Sequence, residues 1–255
     1  MVYEIKDPET VSALFGSPKE AILRSCLEHI MGTIYADDNK HPSAAMAVLG
    51  DFAFYAGTPN QKLAAFRPQS SGGDFMIRIW QHKSWKNTIL AHYKERARIV
   101  SRFATKKEPG IFDKDYLKQI AASLPQGYEI CMIDEPIYEL CKTEPWSTDL
   151  VSQFPHYSDY RRLGLGAVIR NGRRIISGAS SYARYQDGIE IEIDTCKEFR
   201  RKGFARICGA KLILECLQRN LYPSWDAQNP ASLALAKQLG YHFSHTYEAI
   251  ETWGT

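Results

Sequence analysis

A short basic run, Arg200-Arg201-Lys202-Gly203-Phe204-Ala205, stands between a strand-like apolar pattern and a helix-like apolar pattern. The first N–H groups of a helix have no partners within the helix, and the helix dipole adds positive charge there. Gly203 and Ala205 carry little side chain, so a phosphate can approach the backbone closely. Arg206 adds another cation. The run has the chemistry of a pyrophosphate site, although a basic turn without a ligand fits it equally well.

This run differs from the two common phosphate-binding motifs. It is not Gly-x-Gly-x-x-Gly, so it is no dinucleotide fingerprint, and it lacks Gly-Lys-Ser/Thr, so it is no P-loop. Further interpretation therefore depends on the elements around it.

Three carboxylates precede the run with a spacing of two: Glu190, Glu192 and Asp194. In a strand, this spacing places them on one face and the isoleucines between them on the other. Three adjacent carboxylates are costly to bury, so they either line a wet cleft or lie on a solvent-exposed face. A wet acidic cleft would attract a cationic amine.

The elements that must position these residues follow from the hydrophobic pattern of the second half. Asn171-Gly172 between apolar runs predicts a hairpin of strands over residues 165–170 and 174–182. A third strand is predicted over 189–195, a helix over 204–219 and a fourth strand over 222–227. A helix over 230–239 ends at Gly240. The predicted order is β-β-β-α-β-α.

In this order the chain resembles the GCN5-related N-acetyltransferase (GNAT) family. Members carry Gln/Arg-x-x-Gly-x-Gly/Ala after their fourth strand, and Arg200, Gly203 and Ala205 stand at those positions. The family continues with a helix, a fifth strand and an Asn-led helix closed by Gly-Phe or Gly-Tyr. Asn229 and Gly240-Tyr241 match that pattern. The resemblance covers roughly residues 160–250 and implies an α/β (α+β) fold, a mixed twisted sheet with flanking helices.

The resemblance implies that acetyl-CoA is the co-substrate and that the turn binds its pyrophosphate. The pantetheine arm would pair with the backbone of the predicted strand near its end, and Asn229 matches the family asparagine that meets the pantetheine. Ser232, three residues on, faces the same side of its helix. The residues predicted to bind the cofactor are Ile193, Asp194, Thr195, Arg200, Arg201, Lys202, Gly203, Phe204, Ala205, Arg206, Asn229 and Ser232.

The resemblance also implies a general base in the acidic strand, because an amine must be neutral to attack an acetyl group. Like-charged neighbours raise the pKa of a carboxyl and suit it to this role. We expect Glu192 or Glu190 to act, directly or through water. Cys196 lies close in sequence, but the family transfers acetyl directly and we expect a structural thiol.

One position departs from the family pattern. Many members have a tyrosine seven residues after the asparagine, where it protonates the departing CoA thiolate, and this chain has Ala236 there. The proton then comes from another group or from water. An acyl-CoA-binding or protein-interaction module without chemistry is the alternative function.

Composition excludes several other classes of protein. The chain has 255 residues, 44% hydrophobic and 24% charged, which is typical of a globular protein. A net charge of +3 argues against a nucleic-acid partner. The six cysteines form no C-x-x-C pair and have no histidine at metal-ligand spacing, so we expect reduced thiols, no metal and a cytoplasmic protein. No apolar stretch approaches the length of a membrane span, and no signal peptide is evident.

The first half is predicted to mix helices and strands, with a strand over residues 44–55. We place an N-terminal α/β domain over 1–125 and the acetyltransferase domain over 126–255. The first is either a degenerate GNAT-like half without a CoA site or an unrelated α/β cap. The expected acceptor is a small-molecule or protein amine, and whether the chain forms a homodimer is left open.

Overall fold

A computed structural model describes residues 1–68 and 73–254 of the chain. The chain forms two compact units. The first holds residues up to Arg102 together with those from Thr246 onward, and the second holds residues Phe103–His245. Among the described residues, no helix is long and apolar enough to cross a membrane.

The described residues of the first unit form an extended sheet and four short α-helices. Its strands are β1 Tyr3–Ile5, β2 Thr33–Ala36, β3 Ala44–Leu49, β4 Phe52–Gly57, β5 Phe75–Trp80 and most of β6 Ala97–Thr105 and β13 Phe243–Trp253. The helices are α1 Glu9–Phe15, α2 Ala21–Leu27, α3 Gln61–Ala65 and α4 Ser84–Tyr93. The strand order is β1-β2-β3-β4-β5-β13-β6.

The core of the first unit surrounds a buried arginine. Trp85, Tyr55 and Tyr93 pack together with the apolar side chains of β3, β4 and α4. Arg78 is fully buried among them, and its Nε donates to the Thr252 hydroxyl at 3.0 Å. Its other nitrogens donate to the hydroxyls of Tyr55 and Tyr93. These side-chain hydrogen bonds join β5 to β13, β4 and α4.

The second unit contains the remaining helices and a five-stranded sheet. Its helices are α5 Lys114–Ala122, α6 Glu135–Cys141, α7 Pro145–Thr148, α8 Tyr157–Leu163, α9 Phe204–Gln218 and α10 Pro230–Gln238. Its strands are β7 Glu129–Met132, β8 Gly166–Asn171, β9 Arg174–Tyr185, β10 Gly188–Thr195, β11 Tyr222–Ser224 and β12 Asp226–Ala227.

The five-stranded sheet has the order β11-β10-β9-β8-β7, in which only β10 and β11 are parallel. Helix α9 connects β10 to β11 and covers the sheet with an apolar side that includes Ile207, Leu212 and Ile213. Gly209 allows close packing, because a Cβ there would lie 2.7 Å from Leu239 and 3.4 Å from Ile193. The mixed α/β architecture agrees with the fold class predicted from the sequence.

Most elements predicted from the sequence for the second half are present. The hairpin turns at Asn171-Gly172, α9 begins after Gly203, and α10 begins after Asn229. The strand predicted over 222–227 is wrong as a single element. It breaks at Trp225: β11 pairs with β10, whereas β12 pairs with the end of β6.

Two other predictions need correction. The strand predicted over 44–55 is a hairpin, β3 and β4, because the chain turns at Gly50, whose φ is +55°. The order predicted for the second half ended with a helix, yet β13 follows α10, is eleven residues long and pairs with β5.

Candidate functional site

The centre of the candidate site is the point where β10 and β11 part. Their parallel pairing runs from Gly188↔Tyr222 to Glu190↔Ser224 and registers no further pair. β10 itself continues to Thr195, paired on its other side with β9. The β9–β10 register shifts between Glu190 and Ile191, and such an irregularity increases local twist. From Ile191 onward, β10 presents one edge without a pairing strand in the described part of the chain.

Two backbone N–H groups lie on this edge. The N–H of Cys196 donates to the Ile176 carbonyl, which fixes the direction of the N–H groups toward β9. N–H groups alternate along a strand, so those of Ile193 and Thr195 point away from β9. They donate to neighbouring carboxylates: Ile193 to Glu192 Oε1 at 3.1 Å, and Thr195 to Asp194 Oδ1 at 2.6 Å. These are the donors that an extended amide-containing ligand would use.

The acidic and apolar side chains of β10 separate as predicted. Ile189 and Ile191 belong to the core cluster beneath α9, and Ile193 packs against it. Glu190 is 7% exposed and its Oε1 accepts from the Asp226 N–H at 2.7 Å. Glu192 is only partly buried.

Asp194, also partly buried, forms an ion pair with Arg200 at 3.2 Å. The three predicted carboxylates therefore have different surroundings.

The predicted phosphate turn lies between a short 3₁₀ helix and α9. Arg201 and Gly203 both have left-handed backbone, with φ of +62° and +88°. Such alternation turns successive N–H groups toward one concavity, which favours an anion. Gly203 is the N-cap of α9 and no side chain caps this helix. A Cβ built on Gly203 meets nothing within 4 Å, so space is open above the helix N-terminus.

Three of the four cations predicted for this site already have protein contacts. Arg200 Nε donates to the Thr195 carbonyl at 3.0 Å, so the side chain folds back over the end of β10. Lys202 lies over the ring of Phe199 at 4.8 Å. Arg206 Nη2 donates to the Tyr116 hydroxyl at 2.7 Å. Tyr116 was not singled out from the sequence, since only the packing of α5 on α9 brings it here.

Asn229 and Ser232 are structurally linked. The Asn229 side-chain oxygen accepts from the Ser232 N–H at 2.9 Å and so caps α10. The Ser232 hydroxyl accepts from the indole N–H of Trp225 at 3.1 Å. Capping uses the amide oxygen of Asn229, and its amide nitrogen is the group suited to donate to a ligand.

Ala236 is fully buried in the core cluster of the second unit. Tyr241 lies in the same cluster and donates its hydroxyl proton to the Pro223 carbonyl at 2.6 Å. Burial raises the pKa of Tyr241 well above its usual value. This tyrosine is therefore unsuited to donate a proton to a thiolate.

Cys196 is buried at the end of β10, and its thiol contacts Glu198 at 3.2 Å. Desolvation first, and the hydrogen bond to Glu198 second, raise the pKa of the thiol. A neutral buried thiol is a poor nucleophile. The geometry favours the structural role that the sequence suggested.

The aromatic cluster ahead of β8 is partly core. Phe154 and Tyr160 are buried, and their rings lie 5.1 Å apart in an edge arrangement. Asp149, between α7 and α8, was not singled out from the sequence. The pKa of its carboxyl is raised by desolvation and then by the charge of Asp194, which places Asp149 within electrostatic range of the end of β10. Among the described residues, no group of three or more potential ligands is arranged to hold a metal.

Comparison with known proteins supports the predicted family and fold. The family model described as GNAT acetyltransferase matches residues 12–250. A crystal structure of a GCN5-related N-acetyltransferase-like protein from Streptococcus suis 89/1591 is 40% identical, covers 98% of this chain and 99% of its own, and superposes with a TM-score of 0.91.

Two more distant relatives also cover most of the chain. The uncharacterized N-acetyltransferase YdfB of Bacillus subtilis (strain 168) is 24% identical over 83% of this chain and 82% of its own. A tandem GNAT protein from the clavulanic acid biosynthesis pathway is 10% identical, covers 100% of this chain and 99% of its own, and has a TM-score of 0.56, which shows a shared fold.

The chain therefore belongs to the GNAT acetyltransferase family. It is an enzyme of the N-acetyltransferase type, as the turn at Gly203 and the Asn229 helix predicted.

Proposed function

We propose that this enzyme transfers an acetyl group from acetyl-CoA to a primary amine by direct attack. The observation that carries the proposal is the open edge of β10 leading into the uncapped N-terminus of α9. The extended pantetheine arm of acetyl-CoA would pair with the strand edge, and its pyrophosphate would bind at the helix N-terminus. The chain supplies these two features in this order. The family membership supports the reaction class.

In this proposal the left-handed turn at Arg201 and Gly203 holds the pyrophosphate through backbone N–H groups. The pantetheine amides pair with the edge of β10 at Ile193 and Thr195, displacing the carboxylates that now accept from those N–H groups. The Asn229 amide nitrogen donates to the pantetheine. These residues would bind and orient the co-substrate.

Glu192 is the proposed general base. It is only partly buried and stands on the edge where β10 and β11 part, so an acceptor amine and a bridging water can reach it. The neutral amine attacks the acetyl carbonyl carbon, the carbon–sulfur bond breaks, and CoA leaves as a thiolate. With Ala236 in place of the family tyrosine, water supplies the proton to that thiolate.

We propose that the second unit carries this chemistry and that the first unit is a degenerate GNAT-like half. The domain bounds 1–125 and 126–255 stay a prediction. The β4-α3-β5 segment of the first unit repeats the parallel strand–helix–strand order of β10-α9-β11. However, α3 has five residues, and Asn60 accepts from its Lys62 and Leu63 N–H groups at 2.9 and 3.3 Å. The donors that would bind a pyrophosphate are therefore used there.

The six cysteines are free thiols, which supports a cytoplasmic location as part of this proposal. The acceptor remains a small-molecule or protein amine, and the acidic groups near the end of β10 favour a cationic one.

Two measurements on the full chain test the proposal. Acetyl-CoA at millimolar concentration should raise Tm, because a ligand that binds only the native state stabilises it. CoA release with a panel of primary amines should then show turnover. Absence of a Tm shift would overturn the proposal, and tight binding without turnover on any amine would favour a binding module.

A further inference from the structure

The break between β11 and β12 coincides with an unusual use of Glu190. β11 pairs with β10 as far as Ser224, and two residues later the Asp226 N–H donates to Glu190 Oε1 at 2.7 Å. We propose that Glu190 is a positioning residue. Its hydrogen bond keeps the backbone at Asp226 out of the β10–β11 ladder. The gap between the two strands, through which acetyl-CoA would enter, therefore stays open. The inference rests on the proposed use of acetyl-CoA.

The strand register shows what this contact prevents. Glu190 stands opposite Ser224, and extending the parallel register by two residues would place Asp226 opposite Glu192. The Asp226 N–H would then belong to the β10–β11 ladder, and the backbone N–H of Ile193 would face another strand. The carboxylate of Glu190 accepts this N–H instead, so the ladder ends where the proposed pantetheine path begins.

The contact is short and partly buried. Glu190 is 7% exposed, and a partly buried backbone N–H that loses its acceptor costs stability. A hydrogen bond from an N–H to a carboxylate is about twice as strong as one between neutral groups. Glu190 can therefore fix the backbone of Asp226 even though no pairing with β10 remains at that point.

The residues before Asp226 are fixed by other partners. The Pro223 carbonyl accepts from Tyr241, and the Ser224 hydroxyl lies 3.0 Å from that of Tyr185. The Trp225 carbonyl accepts from the Thr105 hydroxyl at 2.7 Å.

Asp226 and Ala227 then pair with the end of β6. Of these contacts, the hydrogen bond from the Asp226 N–H to Glu190 joins β10 to the segment that diverges from it. This bond therefore sets the distance between β10 and the segment at Asp226.

A positioning role and a base role make opposite demands on the side chain. Positioning requires only an acceptor oxygen at Oε1, which glutamine also supplies. A general base requires a group that can take a proton, which glutamine lacks. Glu190→Gln and Glu190→Met therefore separate the two roles, since methionine has similar length but no such oxygen.

The experiment compares these variants by isothermal titration with acetyl-CoA and by hydrogen exchange of the peptide that contains Asp226. Glu190→Met should raise the Kd for acetyl-CoA by about tenfold and speed exchange at Asp226. Glu190→Gln should keep the Kd and the pH profile of the wild-type enzyme. The matched control is Glu215→Met, because Glu215 is 8% exposed and its carboxylate pairs with Lys211 and Arg219, outside the proposed co-substrate path. It should lose stability without a change in Kd.

Three results would overturn the inference. The first is an unchanged Kd in Glu190→Met, the second is unchanged exchange at Asp226, and the third is a Glu190→Gln variant that loses turnover together with its pH dependence. If the wild-type protein does not bind acetyl-CoA at all, the proposed function fails. Hydrogen exchange still reports whether Glu190 holds Asp226, so the two failures are distinguishable.

Discussion

The hydroxyl of Tyr241 donates a hydrogen bond to the carbonyl oxygen of Pro223 at 2.6 Å, and both residues are buried. Pro223 stands opposite Ile189 in the β10–β11 ladder, so Tyr241 anchors the strand beside the site. The contact explains why a tyrosine close to the Asn229 helix does not replace the hydroxyl that is missing at Ala236.

Tyr241→Phe should therefore act on stability and leave the chemistry intact. Removing the hydroxyl leaves the Pro223 carbonyl without its donor and should cost about 1 kcal/mol of unfolding free energy. Turnover at saturating acetyl-CoA should stay within about twofold of the wild-type value. Urea unfolding and steady-state CoA release measure the two quantities. A loss of about a hundredfold in kcat would identify Tyr241 as the proton donor after all.

Glu192→Gln should slow turnover without weakening the binding of acetyl-CoA. Loss of a general base typically costs about 10²-fold or more in rate, whereas Gln can still accept from the Ile193 N–H. The limb of the pH–rate profile that reports the free base should disappear. Glu198→Gln is the control, because Glu198 pairs with Arg174 outside the proposed chemistry. Equal rates in wild type and Glu192→Gln would remove Glu192 from the base role.

Arg78→Met should destabilise the first unit strongly. The substitution leaves the buried hydroxyls of Tyr55, Tyr93 and Thr252 without the guanidinium that donates to them. The substitution also removes the desolvation cost of the buried guanidinium, which offsets part of this loss. We expect the free energy of unfolding to fall by about 2–4 kcal/mol.

Arg98→Met removes an exposed ion pair with Glu251 and should cost less than about 1 kcal/mol. Chemical denaturation measures both variants, and equal losses would contradict the account.

Asp149→Asn should raise stability at neutral pH. Desolvation and the charge of Asp194 raise the pKa of this carboxyl in the folded chain above its ordinary value of 3.8. The folded state then binds more protons than the unfolded state, and ionisation costs stability as pH rises through the folded-state pKa. Asn removes that penalty, so its advantage should be present at pH 7 and vanish as pH falls below 3.8.

The effect should be small because part of the residue is exposed, and solvent screens the charge of Asp194 there. Asp115→Asn provides a control of opposite sign, since a hydrogen bond from Lys118 lowers the pKa of Asp115. Its loss of stability should likewise fade at low pH. Urea midpoints at several pH values measure both, and a destabilised Asp149→Asn at neutral pH would show that its carboxylate is favourably paired.

The sequence predicted those features of the candidate site whose local structure depends on nearby residues. Gly203 marks a left-handed residue at a helix start, and Asn229 is a side-chain cap at another, so both helix boundaries could be predicted from short segments. The alternation of acids and isoleucines in β10 likewise predicted which side chains enter the core.

Features set by distant partners could not be predicted in this way. The break at Trp225 depends on Glu190 and on β6, both far away in sequence. β13 is stabilised by pairing with β5, which lies far earlier in the chain, and its own sequence shows mixed exposure. Tyr116 and Asp149 approach the site only through packing of their helices and loops. The local periodicity of a sequence does not predict such long-range contacts.

Calorimetric titration of Gly203→Val beside Gly172→Val tests whether acetyl-CoA binds at the uncapped N-terminus of α9. Both glycines have left-handed backbone and open space where a Cβ would lie, so both variants should lose stability to similar strain.

Only Gly203→Val should lose acetyl-CoA binding, because its side chain occupies the place of the pyrophosphate, while Gly172→Val should bind like the wild type. Wild-type affinity in Gly203→Val, or equal losses in both variants, would contradict the account.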